Sequence, residues 1–168
     1  MKSDRSPLID YAIIGLLALN LVVAAYGAFR PQAVATGIEA PAQAQAPDIA
    51  EAKADHLASD VIERFNARDN AGMYSLFDDL ARTQLTREQV DEQMAKLYQV
   101  IGRVDDSAYS GAVLAGNDSG RDYYHLNYKV RLSEGPFTTG DMRLTVIRRG
   151  DELGLVGMFI NGTSKQGQ

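Results

Sequence analysis

Only a few side chains in this sequence are of the types that carry out acid–base, nucleophilic or metal chemistry. The chain has two histidines, His56 and His125, and no cysteine. Two histidines far apart in the sequence do not match the ligand spacing of a metal site, and without cysteine there is neither a disulfide nor a catalytic thiolate. We therefore predict no metal site and no cofactor.

The acidic residues add no clear catalytic group. His56 and Asp60 are four residues apart, so on a helix they would share a face as a base and its orienting carboxylate. This spacing is common on solvated helices, and we favour an exposed pair. Asp105 and Asp106 point to opposite faces if they lie on a strand, and we expect the pair 78–79 to be solvated. We predict no catalytic residue.

Two other groups of side chains are candidates for binding. Four tyrosines fall on predicted inner faces and would line a pocket, or else pack in the core with bonded hydroxyls: Tyr74, Tyr98, Tyr124 and Tyr128. Five residues on the predicted outer side of the sheet are candidates for an interaction face: Tyr123, His125, Lys129, Arg131 and Arg143. The cations among them would suit an anionic partner or lipid headgroups, and a solvated sheet face is the alternative.

The strands that position these residues are predicted from alternation. From Arg121 to Ser133, apolar and polar residues alternate, which is typical of an antiparallel strand with one buried and one solvated face. The same reasoning predicts strands over 103–114, 137–149 and 152–161, with a bulge at 105–107.

Three helices are predicted before the strands. Leu57, Val61 and Phe65 recur at helical spacing in the first helix. Asn70 is a plausible N-cap for the second helix, and the sequence from Thr86 to Gln89 matches a capping box for the third. A run of helices followed by a run of strands indicates an α+β domain with the helices on one face of the sheet.

An uncharged apolar segment lies near the N-terminus. The 22 residues from Leu8 to Phe29 would form a helix of roughly 33 Å, which is long enough to cross a bilayer core of about 30 Å. A cleaved signal peptide is the competing interpretation, but its apolar core usually has only about 7–15 residues. Lys2 and Arg5 precede the segment and only Arg30 closely follows it, which favours a cytoplasmic N-terminus.

The predicted fold class is therefore α+β, with an N-terminal transmembrane helix, then three helices packed on a curved, cone-like, four-stranded antiparallel sheet. The chain divides into a cytoplasmic tail (1–7), a membrane anchor (8–29), a flexible Ala/Pro/Gln-rich linker (30–48), a soluble domain (49–163) and a disordered tail (164–168). The net charge of −5 argues against a nucleic-acid partner.

Two stretches carry a resemblance to a known family. The helix end ERFNARDNAGMYSLF and the final strand GLVGMFING, in this order of elements, resemble the nuclear-transport-factor-two-like (cystatin-like) superfamily, and more narrowly small bacterial exported domains of unknown function. The resemblance implies a long helix in the concave side of a curved sheet, with a pocket at the mouth of the cone. Enzymes of the superfamily carry an Asp–His or Tyr–Asp constellation there, and no position of this sequence matches it.

Together these features predict a membrane-tethered protein-interaction or scaffold module of unknown pathway. We expect a single-pass protein of the bacterial inner membrane, attached through 8–29, with its C-terminal domain in the periplasm or outside the cell. Its partner would be another envelope protein or a second copy of the chain. The alternative is small-ligand binding, or hydrolase or isomerase activity, in the cone pocket.

Overall fold

The computed structural model describes residues 49–163. This domain has four helices followed by four strands: α1 (Glu51–Ala67), α2 (Asn70–Leu76), α3 (Asp79–Arg82), α4 (Arg87–Ile101), β1 (Arg103–Asp118), β2 (Arg121–Ser133), β3 (Thr139–Arg149) and β4 (Glu152–Thr163). The strands form one sheet in the order β1-β2-β3-β4, and each neighbouring pair is antiparallel. The predicted α+β domain with an antiparallel meander is confirmed.

Two parts of the predicted fold class are corrected. Four helices, not three, precede the sheet, because the Asp78 side chain accepts a hydrogen bond from the Leu80 backbone N–H and so caps the short helix α3. No helix within residues 49–163 is long and apolar enough to cross a membrane. The described fold therefore contains no transmembrane helix. The segments predicted as tail, anchor and linker, 1–48, and the predicted tail 164–168 lie outside the described residues.

The helix ends follow from local hydrogen bonds. The predicted capping box of α4 is confirmed, since the Thr86 hydroxyl accepts from the Gln89 N–H at 3.3 Å and the Thr86 N–H donates to the Gln89 side chain at 2.8 Å. The predicted N-cap of α2 is wrong by one residue. The Asp69 side chain accepts from the Gly72 N–H at 2.9 Å, and Asn70 is the first helical residue.

The core lies between α1, α4 and the inner face of the sheet. All five apolar positions predicted to face inward on β2 are buried: Tyr124, Leu126, Tyr128, Val130 and Leu132. In α1 the buried stripe includes Val61 and Phe65 as predicted, but Ala54 and Ala58 continue it, while Leu57 is only partly buried. Small side chains at these positions let the helix approach the sheet closely.

Strand β1 is longer and less regular than predicted. It continues to Asp118 because the turn to β2 uses only Ser119 and Gly120, which both have positive φ (53° and 76°). Such a pair is typical of a two-residue type I′ hairpin. The register shifts between Val104 and Asp106, which confirms the predicted bulge, and it shifts again at two further positions.

Groups from the helical layer cover parts of both edge strands. The Asn66 amide donates to the Val104 carbonyl at 2.7 Å and accepts from the Val104 N–H at 3.0 Å, so it pairs with β1 as a neighbouring strand would. At the other edge, Phe77 forms a parallel bridge with Leu155 of β4, and the Asp78 N–H donates to the Leu155 carbonyl at 2.7 Å.

Candidate interaction face

The outer sheet face is the side of the sheet opposite the helices. The strand register arranges its residues in four rows that each cross β1, β2, β3 and β4: Val113, His125, Thr145 and Gly157; Gly111, Asn127, Arg143 and Phe159; Ala108, Lys129, Asp141 and Asn161; Asp106, Arg131, Thr139 and Thr163. Directly opposite residues in an antiparallel sheet point to the same side and are close enough to interact.

The structure places all five predicted interaction-face residues on this side. Tyr123, His125, Lys129 and Arg131 occupy alternate positions of β2, and Arg143 of β3 lies opposite Asn127. Tyr123 is partly buried and lies opposite the buried Ile147, one row beyond His125. The five predicted residues therefore lie on one side of the sheet, with Tyr123 in its least exposed row.

Two of the cations on the outer sheet face are paired with carboxylates across the strands. Lys129 binds Asp141 of β3, and the Arg131 Nη2 atom lies 3.2 Å from the Asp106 Oδ2 atom of β1. Exposed pairs of this kind contribute at most about 1 kcal/mol to stability. Their local effect is to cancel charge and to hold two long side chains, those of Lys129 and Arg131, across the sheet.

Arg143 differs from these two cations. Its guanidinium carbon lies 6.0 Å from the ring centroid of Phe159, the residue directly opposite on β4, which is the outer limit of a cation–π contact. Within residues 49–163, no carboxylate lies within ion-pair distance of Arg143. This side chain therefore carries the uncompensated positive charge at the centre of the outer sheet face.

His125 is half-buried beside this arginine. Its Nδ1 atom lies 3.1 Å from the Thr145 hydroxyl. Burial lowers the pKa of His125, and the positive charge of Arg143 lowers it further. The imidazole is therefore neutral at neutral pH, and it has the hydroxyl of Thr145 rather than a carboxylate as its partner.

Two adjoining open grooves cross all four strands on this face. The first has a volume of about 330 Å³, and its lining includes Asp106, Arg131, Thr139 and Thr163. The second has a volume of about 290 Å³, and its lining includes Asn127, Arg143, Phe159 and Asn161. Lys129 and Asp141 line both grooves, so the two grooves adjoin on the outer sheet face.

Two of the four tyrosines predicted to line a pocket belong to β2. Tyr128 is fully buried, its hydroxyl donates to the Ala54 carbonyl at 2.8 Å, and its ring centroid lies 5.4 Å from that of Tyr109. Burial raises the pKa of Tyr128. The Tyr124 hydroxyl lies 3.4 Å from the Asp122 carboxylate.

The other two tyrosines lie on helices. Tyr98 donates to the Asn70 side chain at 2.6 Å and packs on Phe65, with ring centroids 5.0 Å apart. Tyr74 lies under the Arg87 guanidinium, 5.8 Å from its carbon. Each of the four thus has a different set of partners, and a shared pocket stays a prediction.

The remaining chemical candidates lie apart from this face. His56 and Asp60 form the expected pair on α1, with Nδ1 and Oδ2 3.3 Å apart and the histidine 81% exposed. The prediction that Asp78 is solvated is wrong, since its side chain is 7% exposed and binds Arg149. Within residues 49–163, no group of three or more His, Asp or Glu side chains is placed to hold a metal ion.

Sequence reasoning missed three residues of this site. Asp106, Asp141 and Phe159 are the cross-strand partners of Arg131, Lys129 and Arg143, and identifying them requires the register. Neither a scan of protein-family models nor a search of curated proteins finds a match to this chain. The resemblance to the nuclear-transport-factor-two-like superfamily stays a prediction.

Proposed function

We propose that this domain is a protein-interaction module that binds its partner through the outer sheet face. The observation that carries the proposal is the pair of adjoining grooves, which together cross all four strands and share Lys129 and Asp141. Charged and polar groups in fixed positions let a partner with complementary groups be recognised specifically.

The side chains of this face are already ordered by contacts within the domain. Lys129 and Arg131 are held by cross-strand carboxylates, and Arg143 lies over Phe159. Ordering long side chains at an interface costs roughly 0.5–1.5 kcal/mol each. Because these contacts order the side chains before binding, part of this free-energy cost is not incurred when a partner binds. Arginine and aromatic residues are also enriched among the side chains that dominate binding energy.

The partner class follows the expectation drawn from the sequence. It is another envelope protein or a second copy of this chain. Localisation to a bacterial inner membrane, with the domain on its outer side, stays a prediction. Protease accessibility in intact cells, compared with lysed cells, tests it.

Site-specific photo-cross-linking in the producing cell tests the proposed function. A photoreactive amino acid replaces Ala108, an exposed residue of the outer sheet face, in the full-length chain. Ala95, an exposed alanine of α4, is the matched control position. We expect a discrete cross-linked complex from position 108 and none from position 95, with the partner identified by mass spectrometry. Absence of a complex at position 108, or equal complexes at both positions, would contradict the proposal.

A further inference from the structure

We infer that the partner presents an acidic, extended segment to the outer sheet face, and that Arg143 binds a carboxylate of that segment. This inference rests on the proposed function and adds the chemistry of the recognised group. It assigns to Arg143 the role of the specificity-determining residue of the interface.

Charge complementarity is the first argument. The four charges nearest to Arg143 in the next two rows cancel in pairs, Lys129 with Asp141 and Arg131 with Asp106. Arg143 itself has the Phe159 ring as its contact and no carboxylate within ion-pair distance in the described domain. A partner that supplies a carboxylate would complete the pairing, whereas a cationic partner would meet an unscreened like charge.

Geometry is the second argument. A guanidinium offers a planar fork of N–H donors that matches the two oxygens of a carboxylate. The Arg143 guanidinium carbon lies 6.0 Å from the Phe159 ring centroid, and a contact with a ring face does not occupy the N–H donors of the fork. A bidentate contact of this kind would add directional selectivity as well as free energy to the binding of the partner's carboxylate.

Neighbouring amides provide further donors in the second groove. The Asn161 Oδ1 atom accepts from the Asp141 N–H at 3.0 Å, which leaves its amide N–H groups for a ligand. Asn127, directly opposite Arg143, also lines this groove; its amide donates one hydrogen bond to the His125 carbonyl at 3.5 Å and has a second N–H. A segment in the groove would thus meet one charged and two neutral groups that can donate hydrogen bonds.

Two titratable groups near Arg143 would affect the partner's carboxylate differently. Asp141 lies in the adjacent row and would repel it, but Lys129 binds and neutralises this aspartate. His125 is diagonal to Arg143 and has a lowered pKa, so it adds no charge at neutral pH. The positive charge that acts on the ligand is therefore that of Arg143.

Peptide titration tests the inference on the full-length chain in nonionic detergent. The probe is a capped six-residue peptide that alternates glutamate with threonine, and the reference peptide has glutamine in place of glutamate. Binding is followed by the shifts of backbone amide NMR signals. We expect the glutamate peptide to bind at least about tenfold more tightly, since a charge-assisted bidentate contact is stronger than a neutral one. Its affinity should fall as salt is added.

Substitutions of Arg143 test whether the glutamate peptide binds at this residue. Arg143→Gln should weaken binding of the glutamate peptide at least about tenfold, and Arg143→Lys should weaken it less, because lysine keeps the charge and loses the fork. Arg87→Gln is the matched control, since Arg87 also lies over an aromatic ring but belongs to the helical layer. The affinity of this variant for the glutamate peptide should stay within about twofold of that of the unmodified chain, because Arg87 belongs to the helical layer and lines neither groove.

Several results would overturn the inference: no preference for the glutamate peptide, unchanged binding by Arg143→Gln, or an equal loss in Arg87→Gln. These results are distinguishable from a failure of the proposed function. A cross-linked complex at position 108 without glutamate preference would leave the interaction module standing and reject the acidic segment. Glutamate binding that depends on Arg143, without a complex at position 108, would leave the carboxylate site standing and reject the module.

Discussion

Replacing Asp78 by alanine should lower the free energy of unfolding, although the residue belongs to a pair of neighbouring aspartates near the surface. The Asp78 side chain is 7% exposed and makes three hydrogen bonds. Its two oxygens each lie 2.7 Å from a nitrogen of Arg149, and Oδ1 also accepts from the Leu80 N–H at 2.9 Å. One carboxylate thus joins the start of α3 to the end of β3.

The magnitude follows from these contacts. Loss of an N-cap costs about 1 kcal/mol. Loss of the ion pair adds about 1 kcal/mol or less. The Arg149 side chain is half exposed, so water can solvate its guanidinium once the carboxylate is gone. Asp78→Ala should therefore destabilise the domain by about 1.5–2 kcal/mol. Asp78→Asn keeps a good capping oxygen and should cost about 0.5–1 kcal/mol.

Urea unfolding followed by circular dichroism measures these differences. Asp79→Ala is the control, because this adjacent carboxylate is 88% exposed and binds only the nearby Arg82 in α3. Its effect should stay within about 0.5 kcal/mol. If Asp78→Ala is no more destabilising than Asp79→Ala, the reasoning about this carboxylate is refuted.

The same pair predicts a pH dependence. The hydrogen bond from Arg149 lowers the pKa of Asp78 in the folded state, below an unfolded value of about 3.9. Stability from this group is therefore fully present above that value and is lost as the pH falls through the folded pKa. The difference between the unmodified chain and Asp78→Asn should shrink on acidification below about pH 4. A difference that grows with acidity would contradict the assignment.

Three further substitutions should also affect stability in urea unfolding. Asn66→Ala removes both hydrogen bonds to Val104 and should cost about 1–3 kcal/mol; an effect below 0.5 kcal/mol, about the level of an ordinary surface change, would argue against pairing with the strand. Tyr128→Phe removes one buried hydrogen bond to a carbonyl of α1 and should cost about 1 kcal/mol, and unchanged stability would contradict this. Gly154→Ala places a Cβ 2.4 Å from the Asp78 Oδ2 atom and 3.0 Å from the Asp78 Cβ atom, and it should destabilise by about 1–3 kcal/mol; unchanged stability would contradict this close approach.

The parts of the fold that the sequence predicts well depend on local signals. The bounds of β2 follow from an unbroken alternation between Arg121 and Ser133, and the start of α4 follows from a capping box in which both hydrogen bonds form. The predicted end of β1 was too early, because glycine, asparagine and aspartate at 116–118 indicate a turn but continue the strand. Their pairing with the start of β2 overrides their low strand propensity.

The candidate site also contains residues that local sequence signals predict and contacts that they do not predict. Alternation within β2 alone places Lys129 and Arg131 on the outer side of the sheet. This part of the prediction uses the sequence of a single strand and no knowledge of its neighbours. Pairing Arg143 with Phe159 requires the register between β3 and β4, which contains a bulge and is set by distant contacts. The burial of Asp78 likewise depends on Arg149, 71 residues away in the chain. Such contacts leave no periodic signal in the sequence.

The irregularity of β1 has a consequence for how other chains can approach this domain. An edge strand is a template for backbone pairing with another chain, and bulges disrupt that template. Three register shifts interrupt β1, Gly111 adopts a φ of 126°, and the Asn66 amide occupies the backbone groups of Val104. We therefore expect this domain to resist edge-to-edge pairing of β1 with another chain. At this edge, a partner would recognise side chains rather than add a strand beside β1.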